Sequence, residues 1–253
     1  IPPSWGGYGM YVEHTTICEF IVPDTDLTLA VSNTTSSLTD DKIIDWGDGT
    51  VTYGVLSHTY ASSGTYVVKG KYWFSNANLT WARYVHKVIK VTQQPISMFY
   101  TFNHGSTELV YVDLSNATLT DVRGGLQGGG KLTEVIFNNT KITSTDLNKT
   151  FANKSIETWD LSGITFVNGL TSLDSVFNGC SKLKKIIGLD KWDTSRVQSF
   201  SAIFANCTLL EDFSFFKNWD LSSLTNANSM FAKCTSLKYP PLTTFGNPNK
   251  PTT

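Results

Sequence analysis

The sequence predicts a multidomain chain: an all-β sandwich of short antiparallel strands, followed by an α/β solenoid of stacked repeats. Three observations carry this. Up to about residue 95, apolar and polar positions alternate in short runs such as ICEFIV, LTLAVS, KIIDW and TYVVKGKY, with Gly, Asn, Asp and Ser between them, a strand-and-turn pattern. From about residue 98 a long period takes over. Phe151, Phe177, Phe204 and Phe231 stand 26, 27 and 27 residues apart, and Ile156, Leu183, Leu210 and Leu237 follow at intervals of 27. Within each period the apolar residues advance by three or four, a helical spacing.

Composition narrows the function classes. Charged residues are 16 % and the formal net charge is -1, which leaves no electrostatic footprint for nucleic acid or an anionic membrane surface. Polarity comes instead from 33 Thr, 25 Ser and 17 Asn, a balance common in secreted and surface proteins. No apolar run approaches the roughly 18 residues of a membrane span, so direct membrane insertion is not expected. The opening IPPSWGGYGM has no initiator Met, basic n-region or apolar h-region and reads as a mature or trimmed form. Seven N-x-S/T triplets, at Asn33, Asn78, Asn116, Asn138, Asn148, Asn153 and Asn206, are candidate glycosylation sites, in modest excess over chance.

In the first region, Asp48-Gly49 between two strand patterns predicts a hairpin, because the turn needs φ > 0 and Gly supplies it without a Cβ clash. The stretch with WGDGT at 46–50, HTY at 58–60 and GTYVV at 64–68 resembles the polycystic kidney disease (PKD) domain. That resemblance implies an immunoglobulin-like sandwich and a non-catalytic extracellular role as spacer, adhesion unit or presenter of a neighbouring domain. Asp45 and Asp48 share a tight loop and could take Ca²⁺, but carboxylates in such a turn more often satisfy backbone N–H groups. His58, beside Tyr60, reads as a packed sandwich residue rather than a base, since no nucleophile is patterned next to it.

In the second region, Val197, Phe200, Ile203, Phe204 and Cys207, and again Leu224, Ala227, Met230, Phe231 and Cys234, predict a short amphipathic helix in each repeat. WDLS, WDTS and WDLS, opening at Trp159, Trp192 and Trp219, are suited to cap it. LKKII at 183–187 and LEDFSFF at 210–216 supply the strand or turn. Weaker copies at Phe102, Leu109, 113–115, Leu126 and Leu132 bring the rungs to five or six. FNGCSKL, FANCTLL and FAKCTSL with WDTS resemble the BspA-like leucine-rich repeats of bacterial surface proteins and mycoplasma lipoproteins, over roughly residues 98–242 and most strongly from 151. The resemblance implies partner binding along the solenoid face, in surface, adhesin or phage proteins, and brings no catalytic residues.

The expected repeat core is Phe177, Cys180, Leu183, Phe204, Cys207, Leu210, Phe231, Cys234 and Leu237. Its three cysteines align at 27-residue intervals, and neighbouring helices at about 8–10 Å would hold them too far apart to bond. Asn206 shares its register with Gly179 and Lys233, a position suited to a left-handed residue closing the helix. The expected organisation is an arm at 1–12, the sandwich at 13–95, the solenoid at 96–244 and a linker or tail at 245–253.

GLQGGGKL at 125–132 nearly spells a P-loop, but Leu132 stands where a Mg²⁺-binding hydroxyl belongs, so it reads as a Gly-rich loop of a degenerate rung. No CxxC, HExxH or GxSxG occurs, and His14, His58, His86 and His104 do not share one element. Trp5, Tyr8, Tyr11, Trp73 and Trp81 would stack on sugar rings if exposed, although such residues more often fill cores. No catalytic, cofactor-binding or metal residue is therefore expected. The resulting expectation is a non-enzymatic extracellular or cell-surface module for adhesion or recognition, its partner a surface protein or glycan. The alternative is a structural subunit of a virion or of an extracellular glycoprotein filament, assembling with copies of itself.

Overall fold

The computed structural model describes residues 16–30, 43–70, 79–91, 95–102, 108–127 and 131–237. The arm at 1–12, the tail at 245–253, Asn33, Asn78, His14, His104, Trp5, Tyr8, Tyr11 and Trp73 lie outside the described residues.

Strands β1 (Thr16–Val22), β2 (Leu27–Ala30), β3 (Ile43–Asp45), β4 (Val51–Tyr53), β5 (Ser57–Tyr60) and β6 (Gly64–Gly70) come first, then a short helix α1 (Leu79–Tyr84) that runs into β7 (Val85–Lys90). In β1, Thr16, Cys18, Phe20 and Val22 are buried and the residues between them half-exposed, the period-two pattern of a strand with one face on the core. β1 pairs antiparallel with β6 and β7, and β3 and β4 extend the sheet beyond β6. β2 and β5 form a separate antiparallel pair whose Leu29 and Tyr60 join one core with Phe20, Ile44, Trp46 and Val68. The hairpin expected at Asp48-Gly49 links β3 to β4. Gly47 sits there at φ 82°, where a Cβ would also meet the Val67 carbonyl oxygen at 2.7 Å, so only glycine fits.

The strands that follow are β8 (Ile96–Ser97), β9 (Tyr111–Asp113), β10 (Thr118–Asp121), β11 (Glu134–Ile136), β12 (Thr140–Ile142), β13 (Thr158–Asp160), β14 (Ile164–Phe166) and β15 (Lys185–Ile187). Every pairing among them is parallel, in the columns β8-β10-β12-β14, β9-β11 and β13-β15. The β9-β11 column is not separate from the first region. β9 also pairs parallel with β7, Lys87 opposite Tyr111 and Val88 opposite Val112, so one seven-stranded sheet runs β11-β9-β7-β1-β6-β3-β4. Trp81 of α1 meets Phe102 edge-to-face, ring centroids 5.8 Å apart. A stacked array must cover the apolar face of its first rung, and here β7 and α1 do so.

The α/β, leucine-rich-repeat-like solenoid does not form; the structure is nearly all β, and the repeat region is a β-solenoid. Among the described residues from 95 on there is no α-helix, only 3-10 turns at Leu189–Lys191 and Ser214–Asn218. The segments expected to be helices are runs of overlapping β-turns. In residues 200–207 the N–H groups of Ile203, Ala205 and Cys207 donate three residues back, to Phe200, Ala202 and Phe204, while those of Phe200, Ala202, Phe204 and Asn206 donate to carbonyls of the next rung. A helix would need every one of these amides for itself. Left-handed residues recur twice per rung, at 149 and 153, 175 and 179, 202 and 206, and 229 and 233, which no helix interior tolerates. Overlapping turns place side chains three and four apart on one side, so the spacing mimicked a helix.

The three WDxS tetrads also occupy two stations. Trp159 and Asp160 lie in β13 opposite Ile186 and Ile187, whereas Trp192 and Trp219 follow the 3-10 turns. None caps a helix. The carboxylates of Asp160, Asp193 and Asp220 instead accept the N–H two residues on, from Ser162, Ser195 and Ser222, at 3.0, 3.0 and 2.8 Å, as Asx-turns.

Candidate functional site: the ladders of the solenoid

Stacking makes ladders of side chains. The rings of Phe151 and Phe177, Phe177 and Phe204, and Phe204 and Phe231 lie 5.5, 5.7 and 6.0 Å apart, the last two pairs within 5° of parallel. Beside them run the thiols. Cys180, Cys207 and Cys234 are unbonded, and each Sγ donates to the carbonyl of the phenylalanine one rung back, Phe151, Phe177 and Phe204, at 3.1, 3.2 and 3.0 Å. The phenylalanine carbonyls of 177 and 204 already take the N–H of Cys180 and Cys207. A small residue with a weak donor fits that space, which explains FxxC chemically. Burial pushes the Cys180 thiol up to about 11 and raises Cys207 and Cys234 too. A thiol reagent under native conditions is thus expected to leave Cys180 and Cys207 unlabelled while denaturant exposes both. Rapid native labelling of both would sink the assignment.

Within the expected core, Phe177, Cys180, Leu183, Phe204, Cys207 and Leu210 are fully buried. Phe231, Cys234 and Leu237, in the last described rung, are less so. One residue of this row escaped the sequence reading. Lys154 lies three residues after Phe151, where the next rungs carry cysteine, and it is 1 % exposed. Burial pulls its ammonium down to about 8, against a small opposing effect of Cys180. Counting three from each phenylalanine places it in the cysteine row, and the neighbouring rungs bury it.

The outer wall consumes its own polar groups. Hydroxyls of Thr171, Thr225, Thr208 and Thr235 donate to carbonyls of the preceding rung at 3.0–3.2 Å. Asp174 accepts both the Ser199 hydroxyl and the Ser201 N–H. Ser162 and Ser195 hold Asp160 and Asp193 below the usual carboxylate range through their hydroxyls and N–H groups. Of the sequons, Asn116, Asn138 and Asn153 are exposed, while Asn148 and Asn206 are half-buried and spend their Nδ2 on Asp174 O and Asn178 Oδ1. Asn206 is left-handed at φ 63°, closing a β-turn rather than a helix.

In the β3–β4 hairpin, Asp45 accepts the Gly47 N–H and Asp48 the Thr50 N–H, while the second Asp48 oxygen lies 2.6 Å from His58 Nε2. Burial opposes ionisation of Asp48, yet the Thr50 N–H and His58 outweigh it and hold its carboxyl below the usual range. His58 stacks on Trp46 and meets Tyr60 edge-on, and the Tyr60 hydroxyl donates to the Trp46 carbonyl at 3.0 Å. In the P-loop-like stretch, Leu126 and Leu132 are buried and Lys131 pairs with Glu108 at 2.8 Å. Trp81 is buried. Among the described residues no three His, Cys, Asp or Glu converge as metal ligands, and no helix is long and apolar enough to cross a membrane.

Fold and ladders define a class, a β-solenoid repeat protein whose first rung is closed by an antiparallel sheet. A family model described as "Mycoplasma protein of unknown function, DUF285" matches residues 140–244, the later rungs. No curated protein and no solved structure matches the chain. The family match and the solenoid are compatible with a repeat-bearing surface protein.

Proposed function

We propose that the protein is a non-enzymatic extracellular surface module for adhesion or recognition, in which the N-terminal sheet holds a β-solenoid whose lateral wall meets a protein or glycan partner. The observation that carries this is the β7–β9 pairing, which continues the sheet of the first region into the solenoid. A tether of that kind resists bending and keeps the wall in one orientation relative to whatever anchors the chain. The wall itself supports the reading. Its carboxylates and hydroxyls, and the thiols buried behind it, are engaged in turns and rung-to-rung bonds, a use that builds shape rather than a poised nucleophile or base. The PKD-like motif belongs to the same reading, as the spacer or presenter.

Binding of the monomeric protein to host-cell surfaces or a glycan array is the decisive measurement. Saturable binding that is abolished by charge-introducing substitutions at exposed wall positions, such as Thr165→Asp with Thr120→Asp, is the expected result. Recovery of the native protein at a fixed, regular copy number in a virion or filament, without binding as a monomer, would establish the structural-subunit alternative instead.

A further inference from the structure

An Asn-Gly step is a chemically weak point of a polypeptide, because glycine has no Cβ to keep its nitrogen from the preceding side-chain amide. The chain has two, Asn168-Gly169 and Asn178-Gly179, and the fold treats them oppositely. At the second, the reacting groups are committed. The Gly179 N–H donates to the Ala205 carbonyl at 2.8 Å, the Asn178 carbonyl accepts the Asn153 N–H, and Asn178 Oδ1 accepts from Asn206 Nδ2 at 3.1 Å. That nitrogen is released only when the rungs part.

Asn168 and Gly169 lie just past β14, the first exposed and the second half-buried. Among the described residues the Gly169 N–H has no acceptor and Asn168 Oδ1 no donor, and the side chain's one bond runs from Nδ2 to the Thr143 carbonyl at 2.7 Å. A cation lies alongside. A Cβ built on Gly169 would stand 3.0 Å from Arg196 Cδ and 3.1 Å from its Nη1. Arg196 is exposed and makes no ion pair among the described residues. Asp193, a carboxylate within reach of its charge, is already held by the Ser195 hydroxyl and N–H.

We propose that Asn168-Gly169 is a self-modification site, where the chain converts its own exposed amide into a carboxylate that Arg196 receives. The Gly169 nitrogen loses its proton and attacks Asn168 Cγ. The Cγ–Nδ2 bond breaks, the nitrogen leaves as ammonia with that proton, and a succinimide ring closes. Water then opens the ring at either carbonyl, giving aspartate or isoaspartate, in which the backbone runs through the former side chain. No oxidant or reductant takes part. The guanidinium stays charged throughout, favours the nitrogen anion that attacks, and afterwards faces the new carboxylate. The product sets an oxygen against the Thr143 carbonyl where Nδ2 had donated, so one rung-to-rung tie is lost and a negative charge appears on the lateral wall. The reaction needs no partner and is independent of what the wall binds.

Peptide mapping by mass spectrometry tests this on the folded chain held for weeks in mildly alkaline buffer, beside a sample unfolded in urea. In the folded chain Asn168 is expected to gain one mass unit, part of the product accepting a methyl group from an isoaspartyl methyltransferase. Asn178 is expected to convert roughly 100-fold more slowly there, because its rung must first open. In urea the two steps are expected to react alike. Gly169→Ala should lose the conversion and Arg196→Gln should slow it several-fold, with Cys180 and Cys207 unreactive to a thiol reagent in both variants as the sign of an intact stack. Asn168 left intact in the folded chain while the urea sample converts, equal rates at Asn168 and Asn178 in the folded chain, or an unchanged rate in Arg196→Gln would each overturn the proposal.

Discussion

Replacing Phe204 with alanine is expected to destabilise the solenoid by about 3–5 kcal/mol, the range for truncating a buried aromatic. Its ring is fully buried, lies between Phe177 and Phe231, and touches Phe213, Phe215 and Trp219. Because rungs contact mainly their neighbours, the loss falls on two rung interfaces at once. Phe231→Ala, at a half-buried position with one stacked neighbour, is expected to cost much less. Urea unfolding of both variants checks this, and equal midpoints would contradict a stack whose strength lies in its interior. Cys207 should report the same event locally, its thiol becoming reactive in Phe204→Ala because the carbonyl it donates to, on Phe177, loses its packing.

The second large effect is a pH dependence at Lys154. Its ammonium is drawn from the ordinary 10.5 to about 8 by burial. Between these values the unfolded chain holds a proton that the folded chain has shed, so stability rises with pH through that window. Below pH 8 the penalty is present in full, about 3 kcal/mol from the size of the displacement. Lys154→Met is an unbranched side chain one heavy atom shorter and carries no charge. The unfolding free energy of the parent, minus that of Lys154→Met, is expected to grow by about 3 kcal/mol in the parent's favour between pH 7 and pH 11. The alkaline titrations of Tyr60 and Cys180, which burial raises in both proteins, largely cancel in that difference. A difference flat across the range would show that Lys154 stays charged in the fold.

Lys154 also marks where sequence reading ran out. The 26- and 27-residue period made the cysteine row legible, but nothing local says that a lysine standing in that row points inward. Only the neighbouring rungs, by surrounding it, make it a buried cation. The WDxS tetrads teach the same lesson from the other side. Sharing the WDxS pattern, Trp159 pairs into β13 while Trp192 and Trp219 follow 3-10 turns, and the 33-residue gap from 159 to 192 was the spacing sign that they differ. In the first region more was readable. Alternation in β1 and the turn demand at Gly49 are local, and local rules held.

The sequence by itself determined the repeat, its phase, the inward row of phenylalanines and cysteines, and the left-handed positions at Gly179 and Asn206, because each follows from spacing or from a residue's own conformational range. What the tertiary structure decided was which hydrogen bonds the repeat would make. Apolar residues three and four apart serve a helix or a run of β-turns equally well, and the choice depends on whether alternate amides close within the segment or reach the next rung. They reach the next rung at Phe177, Phe204 and their equivalents. Once neighbours present a carbonyl every second residue, each rung satisfies its backbone laterally, and a solenoid of β-turns displaces the helices that the spacing alone predicted. The same lateral bonding let β9 pair with β7, an association between distant segments that no period in either one encodes.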